Sequence, residues 1–141
     1  MKIRKAESAD IPVIAGLMVQ LWPHHNHSEM EAEVREYMQQ DDAAFFLAED
    51  QGFAQCQLRY DYVEGTESSP VGYLEAIYVA ERCRHQRIAR KLLTACENWA
   101  KEKGCVEFAS DCELTNTQSL KFHLGVGFAE ANRIICFTKK L

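Results

Sequence analysis

The sequence predicts a mixed α/β fold, of the α+β kind, with a central mixed β-sheet flanked by helices. Three observations carry this. Amphipathic segments with the helical repeat alternate with short apolar runs along the whole chain. Gly72 to Val79 is apolar on both faces apart from Glu75, the pattern of a strand covered on both sides. That run passes through a polar turn into an amphipathic helix and then another strand, the order of a strand–helix–strand unit.

Ile3 and Arg4 begin a short strand. Ser8 or Asp10 caps the first helix, with Pro12 in its first turn. Ile11, Ile14, Leu17, Met18 and Leu21 recur at helical spacing as its buried face, and Pro23 stops it. A second helix runs from about Ser28 to Gln40, where Ser28 and Glu31 read as a capping box. Ala44–Ala48 and Phe53–Tyr62 form a hairpin around Asp50-Gln51-Gly52, followed by a turn-rich loop over 63–70. After the central strand, Arg82–Arg87 is a polar turn. The next helix covers Ile88–Lys103, with Ala89, Leu92, Leu93, Cys96 and Trp99 as core face and Gly104 as C-cap. Val106–Ala109 is a strand, Thr115–Leu124 a helix and Arg133–Thr138 a last strand.

The 141 residues suit one domain, 1–141, without repeat or linker, and 47% hydrophobic content is enough for a core. No apolar run reaches the roughly 20 residues of a membrane span, and no apolar stretch follows the charged N-terminus, so a soluble cytoplasmic protein without membrane contact is expected. A net charge of −5 argues against a nucleic-acid partner and for a cationic or neutral one. Six cysteines without a CxxC pair or secretory signal read as reduced packing thiols. His24, His25 and His27 crowd one irregular turn without a second ligand group, so no metal site is expected.

The chemistry concentrates at Arg82-Cys83-Arg84-His85-Gln86-Arg87, where a buried strand feeds a helix start. A helix N-terminus presents free N–H groups and the positive end of a dipole, a ready phosphate site, and basic side chains add to it. The turn lacks the lysine and paired glycines of a P-loop, and it is not a dinucleotide fingerprint.

Arg84-His85-Gln86-Arg87-Ile88-Ala89 resembles the acyl-CoA pyrophosphate loop of the GNAT superfamily, Arg/Gln-x-x-Gly-x-Gly/Ala. Asn116-x-x-Ser119-x-x-x-His123-x-x-x-Gly127-Phe128 is similar to that superfamily's C-terminal signature. Leu21-Trp22-Pro23, Asp61-Tyr62-Val63-x-Gly65, Ser68-Ser69-Pro70-Val71, Leu74-Glu75-x-Ile77-Tyr78-Val79 and Ala109-Ser110-Asp111 resemble the aminoglycoside 6'-N-acetyltransferases. The resemblance implies a GNAT-like fold, a homodimer, and direct acetyl transfer from acetyl-CoA to the 6'-amine of a cationic aminoglycoside in a ternary complex. It implies that Arg84, His85, Gln86, Arg87, Ile88 and Ala89 hold the pyrophosphate and that the main chain at Ile77, Tyr78 and Val79 holds the pantetheine arm. Asn116 and Ser119 then contact the coenzyme. Two positions depart from the pattern: Arg87 replaces the usual glycine, and His123 stands where many members carry tyrosine.

Amine acetylation needs a proton taken from the amine, a polarised thioester and a protonated or stable leaving thiolate. Glu75, in an apolar strand, and Asp111, at the end of the next strand, are both candidates for base or amine anchor; either also has a structural reading, as a paired core carboxylate or as a cap. His123 is either the acid for the thiolate or a coenzyme contact. On the acceptor side, Trp22, His25, Asp61, Tyr62 and Glu67 join Glu75 and Asp111, since aromatic rings cover sugar faces and carboxylates bind ammonium groups. Competing expectations are acetylation of another amine (a polyamine, a small metabolite or a protein N-terminus) and a non-catalytic acyl-CoA-binding module.

Overall fold

Burial on both faces of the middle strands organises the chain. The computed structural model describes residues 2–84 and 87–141. Its strands are β1 (Ile3–Lys5), β2 (Ala43–Ala48), β3 (Gly52–Arg59), β4 (Val71–Val79) and β5 (Phe108–Ser110). Its helices are α1 (Ile11–Leu21), α2 (His27–Met38), α3 (Ile88–Glu102) and α4 (Thr117–Gly125), with short 3-10 turns at Ser8–Asp10 and Glu81–Cys83. The strands follow one another in the order β1-β2-β3-β4-β5, antiparallel up to β4, and β5 lies parallel to β4. The expected mixed sheet flanked by helices is what forms.

β2 is buried at every position because both of its faces are covered. Ala44, Phe46 and Ala48 pack with Ala54 and Cys56 of β3 against Leu92, Leu93, Cys96, Trp99 and Ala100 of α3. Phe45, Leu47 and Phe53 pack with Ile14, Leu17 and Met18 of α1 and Met30 and Val34 of α2. Each fully buried side chain of this size contributes roughly 1.5–3 kcal/mol.

β4 breaks strict alternation at one place. Leu74 lies in the α3 cluster, yet Ile77 and Val79, an odd number of residues further on, pack on that cluster too. Ala76 and Tyr78 pack on the α1/α2 cluster. The register explains the switch: Gln55 pairs with Ala76 and Cys56 with Leu74, so Glu75 is the extra residue of a β-bulge. Further up the strand, Gly72 lets β4 lie under its neighbours. A Cβ there would come within 2.6 Å of Phe108 and 2.7 Å of Ala100.

Several boundaries differ from the sequence expectations, each for a local reason. α2 is capped by Asn26: its Oδ1 accepts from Glu29 N at 2.9 Å and its Nδ2 donates to Glu29 Oε1 at 2.6 Å. Ser28 therefore falls inside the first turn, because amide and hydroxyl caps are of similar strength and the amide came first. Asp10 makes no side-chain cap to α1. Its carboxylate accepts from both Arg4 nitrogens, at 2.8 and 2.6 Å, and from Glu7 N at 2.7 Å, tying β1 to the helix entry. The Arg4 hydrogen bonds hold the Asp10 carboxyl below its ordinary range. α3 ends in a Schellman arrangement: Gly104, at φ +92°, donates to Lys101 O, and Cys105 donates to Ala100 O, both at 3.0 Å.

The expected strand Arg133–Thr138 does not form. Residues 129–141 have no regular structure, and among the described residues no main-chain hydrogen bond joins them to a strand. A strand is stable only with an edge to pair with. The expected hairpin strand ends at Arg59 rather than Tyr62, and β5 begins two residues later than expected. Cys56, Cys83, Cys96 and Cys105 are buried and Cys112 and Cys136 exposed, all six as free thiols.

Candidate active site

The site begins where the sheet splits. The β4–β5 ladder pairs Gly72 with Phe108, Tyr73 with Ala109 and Leu74 with Ser110, and there it stops. From Ala76 to Val79, β4 is paired with β3 alone among the described residues. Its other edge, at Ile77, Tyr78 and Val79, is open at the strand's C-terminal end, where ligands collect in open α/β sheets. This notch in the sheet leaves main-chain groups of β4 without a neighbouring strand.

α3 starts just beyond. Its N-cap residue Arg87 has φ 60° and ψ 20°, in the left-handed region, and no side chain caps the helix. The first-turn amides after Arg87 therefore have no helical partners. Ile88 is buried and Ala89 half-buried, anchoring the helix start. Arg84 donates from Nε to Val79 O at 3.0 Å, and its guanidinium carbon is 5.8 Å from the centre of the Tyr78 ring. That side chain is thereby fixed between the end of β4 and the helix start. His85 and Gln86, also expected at the phosphate loop, lie outside the described residues.

Ser110 and His123 meet at the point where β4 and β5 part. His123 Nδ1 is 2.7 Å from Ser119 O, and its Nε2 is 2.8 Å from Ser110 Oγ. Since a carbonyl only accepts, Nδ1 carries a proton. Neutral His123 then accepts the Ser110 hydroxyl at Nε2. As an imidazolium it donates to Ser110 Oγ, whose own proton turns to Leu74 O at 3.3 Å. Either hydrogen-bond arrangement of the pair is satisfied by this geometry. Asn116 Oδ1 caps α4 by accepting from Ser119 N at 3.1 Å, which leaves the Asn116 amide nitrogen outside that bond.

The two candidate carboxylates stand in different surroundings. Glu75 accepts from Arg59 Nε and Nη2 at 3.0 and 2.8 Å and from Gln57 Nε2 at 2.5 Å. It is a paired carboxylate, the structural alternative weighed for it. The bulge and the antiparallel register of β3 explain the pairing, because Gln57 and Arg59, two residues apart, lie on one face opposite β4. Asp111 accepts from the Tyr73 hydroxyl and is otherwise exposed. Burial, with the Asp111 carboxylate second, pushes the Tyr73 phenol above its ordinary value, so it stays a donor.

A cleft of about 1200 Å³ lies between β5, α4 and the C-terminal segment. Arg59, Tyr62, Tyr73, Ser110, Asp111 and His123 line it, as does Glu64 from the 63–70 loop. Of the residues expected on the acceptor side, Tyr62 and Asp111 are brought together here. Trp22, His25, Asp61, Glu67 and Glu75 are not among its lining residues. Trp22 packs on the α1/α2 cluster, and His25 pairs with Glu29 at 3.2 Å. Asp61 and Glu67 are exposed, and the Glu67 amide donates to Glu107 Oε1 at 2.9 Å. Sequence reasoning missed Gln57, Arg59, Tyr73 and the part played by Ser110. Laying out the hairpin register would have set Gln57 and Arg59 beside Glu75, but the bulge is invisible in the sequence.

Comparisons with known proteins agree with one another. The family model described as Acetyltransferase (GNAT) family matches residues 12–128. The aminoglycoside N(6')-acetyltransferase type 1 of Serratia marcescens is 42% identical over 130 residues, covering 89% of each chain. Its counterpart in Salmonella enteritidis is 39% identical over 144 residues, covering 99% of each. Among solved structures, AAC(6')-Iy in complex with the bisubstrate analogue CoA-S-monomethyl-acetylneamine superposes with a TM-score of 0.93 at 38% identity, over 99% of this chain and 98% of that one. The 6'-N-acetyltransferase AAC(6')-IG from Acinetobacter haemolyticus gives 0.93 at 34% identity, covering 100% and 99%.

Proposed function

The chain belongs to the GNAT acetyltransferase family, and from that premise we propose that it transfers acetyl from acetyl-CoA to the 6'-amine of aminoglycoside antibiotics, conferring resistance. The likeness to the 6'-N-acetyltransferases over nearly the whole of both chains carries this reading. Acetyl-CoA supplies the activated acetyl thioester. The residues present suit it: an open peptide edge on β4 beside a helix start without a side-chain cap.

In this reading the main chain of Ile77, Tyr78 and Val79 holds the pantetheine arm. The α3 amides after Arg87, with Arg84, His85, Gln86 and Arg87 itself, grip the pyrophosphate. Asn116 and Ser119 contact the coenzyme from α4. Asp111 anchors the acceptor's ammonium group and takes its proton, directly or through water, because Glu75 is already bound on both oxygens by Arg59. The Tyr73 hydroxyl orients Asp111. His123 and Ser110 relay a proton to the departing thiolate. Tyr62 and Glu64 border the acceptor end of the cleft, and Trp22, His25, Asp61 and Glu67 meet the outer rings of the polycation. With both substrates held together, no protein nucleophile is required.

The protein acts as one domain and as a homodimer in the cytoplasm. Six free thiols suit a reducing compartment, and among the described residues no helix is long and apolar enough to cross a membrane. The deciding experiment is free-thiol release from acetyl-CoA with a panel of amines. Kanamycin- and tobramycin-type substrates with a 6'-amine should react and their 6'-hydroxy counterparts should not. Release with a polyamine alone would move the reading to another amine, and coenzyme binding without any release would make the chain a non-catalytic module.

A further inference from the structure

One carboxylate ties the loop between β3 and β4 to the strand that leads to Asp111. Glu107 Oε1 accepts from the Glu67 main-chain N–H at 2.9 Å and from the Ser68 hydroxyl at 2.5 Å. The Glu107 main chain is engaged as well: its carbonyl accepts from Gly72 N at 3.1 Å, at the start of the β4–β5 ladder. The residue is fixed in the sheet by its backbone and reaches the loop with its side chain. The Ser68 hydroxyl, and after it the Glu67 N–H, hold the Glu107 carboxyl below its ordinary range. Hydrogen bonds to an ionised acceptor are roughly twice as strong as neutral ones.

The other bonds of the loop are mostly its own. Ser69 Oγ donates to Tyr60 O at 2.9 Å and closes its two ends. Thr66 donates to Val63 O from N and from Oγ1, at 3.0 and 2.7 Å, and Gly65 N donates to the Tyr62 hydroxyl at 3.3 Å. Such a loop holds its own shape and needs a fixed place on the sheet. Val63, packed with Val71 and Tyr73, gives it an apolar foot. Asp61, Glu64 and Glu67 make the loop acidic, so charge alone would push it away from Asp111. The donors turned toward Glu107 hold it there instead.

We infer that Glu107 is a positioning residue for acceptor binding: it fixes the loop bearing Tyr62 and Glu64 against the run 107–111 that ends in Asp111. Both walls of the acceptor end are then in place before the aminoglycoside arrives. This deepens the proposed acetyl transfer and rests on it. Tyr62, Glu64, Glu107 and Asp111 line one cleft, and a wall ordered in advance spares the ordering cost at the moment of binding. Glu107 acts through the loop, so its loss falls on KM for the acceptor and leaves the acetyl step intact.

The test combines steady-state kinetics with hydrogen exchange on Glu107→Ala, Ser68→Ala, the double variant and Glu107→Gln. Glu107→Ala should raise KM for a kanamycin-type acceptor about 10-fold, with kcat and KM for acetyl-CoA within about twofold of wild type. Ser68→Ala should reproduce part of that rise, and the double variant should be no worse than Glu107→Ala, because both remove one contact. Glu107→Gln, which keeps an accepting oxygen without the charge, should recover part of the lost affinity. The Glu67 amide should exchange faster in Glu107→Ala than in wild type. An acceptor KM unmoved by Glu107→Ala would overturn the inference. So would a rise that Ser68→Ala does not share, which would make Glu107 a direct ligand of the ammonium group, or an equal loss of acetyl-CoA affinity, which would make it a general support of the fold. Wild-type protein that releases no thiol with any 6'-amino aminoglycoside fails the acetyl-transfer reading, whereas unchanged Glu67 exchange in Glu107→Ala fails the tie itself, so the two failures are told apart.

Discussion

The guanidinium carbon of Arg59 lies 3.4 Å from the centre of the Tyr73 ring while Nε and Nη2 of the same side chain bind the two oxygens of Glu75. One arginine therefore neutralises one carboxylate and packs on the phenol that donates to the other, Asp111. Replacing Arg59 by Ala strands Glu75, whose side chain is 19% exposed, and should destabilise the fold by about 1–2 kcal/mol, less than for a fully buried pair. Glu75→Gln should cost less, and the double variant little more than Arg59→Ala alone. Urea denaturation of the four proteins measures the coupling; strict additivity would show that the pair is not an energetic unit.

Asp111→Asn keeps the shape and removes the charge that anchors and deprotonates the amine. We expect kcat/KM for the aminoglycoside to fall about 100-fold or more, with acetyl-CoA affinity unchanged in calorimetry. Tyr73→Phe should produce a smaller loss, because it removes only the hydrogen bond that orients Asp111. A Glu75→Gln variant slower than Asp111→Asn would reverse the assignment of the base.

Arg87 holds a left-handed backbone that favours glycine. Arg87→Gly should relieve about 1 kcal/mol of strain and raise Tm by a few degrees. It also removes a guanidinium from the proposed phosphate site, so KM for acetyl-CoA should rise several-fold. Thermal unfolding and steady-state kinetics read the two effects separately. A variant that is more stable and also binds acetyl-CoA more tightly would show that the Arg87 side chain makes no phosphate contact.

Gly72→Ala tests the close approach of β4 to its neighbours. The added methyl meets Phe108 and Ala100 well inside contact distance. A loss of about 1–3 kcal/mol in chemical denaturation is expected, and a neutral result would mean that Phe108 and Ala100 yield easily.

Asp10 gives a pH dependence of stability. Its folded-state pKa lies below the unfolded value because of Arg4. The stabilisation is therefore fully present above the unfolded value, about 4, and is lost as pH falls through the lower folded value. Asp10→Asn should flatten this acid limb of the Tm–pH curve, and an unchanged limb would place the acid sensitivity elsewhere.

Much of the fold was legible because it rests on periodicity. The faces of α1 and α3, the buried β4 and the glycine that ends α3 all follow from spacing and local chemistry. The two short 3-10 turns and the Asn26 cap were not, since neighbouring polar residues compete at nearly equal energies. The site was legible in part. Asp111 and His123 stand at strand and helix positions that the motif order places near the split, whereas the neutralisation of Glu75 depends on an antiparallel register set by tertiary packing. The strand expected over Arg133–Thr138 does not form, because apolar character along a segment does not tell whether an edge is within its reach, and among the described residues it pairs with none.

The extra residue gives β4 one position to spare. Cys56 pairs with Leu74 and Gln55 with Ala76, so deleting Glu75 would leave plain alternation, with Ile77 and Val79 still toward the third helix and Ala76 and Tyr78 toward the first two. The Tyr78 hydrogen bond to Gln20 and the peptide groups proposed for the pantetheine arm would keep their places, and the loss would fall on Arg59, left without its carboxylate. Deleting Ala76 instead would draw Glu75 into the place opposite Gln55, on the apolar side of the first two helices. A deletion scan read out by acetyl transfer should therefore tolerate loss of Glu75 better than loss of Ala76.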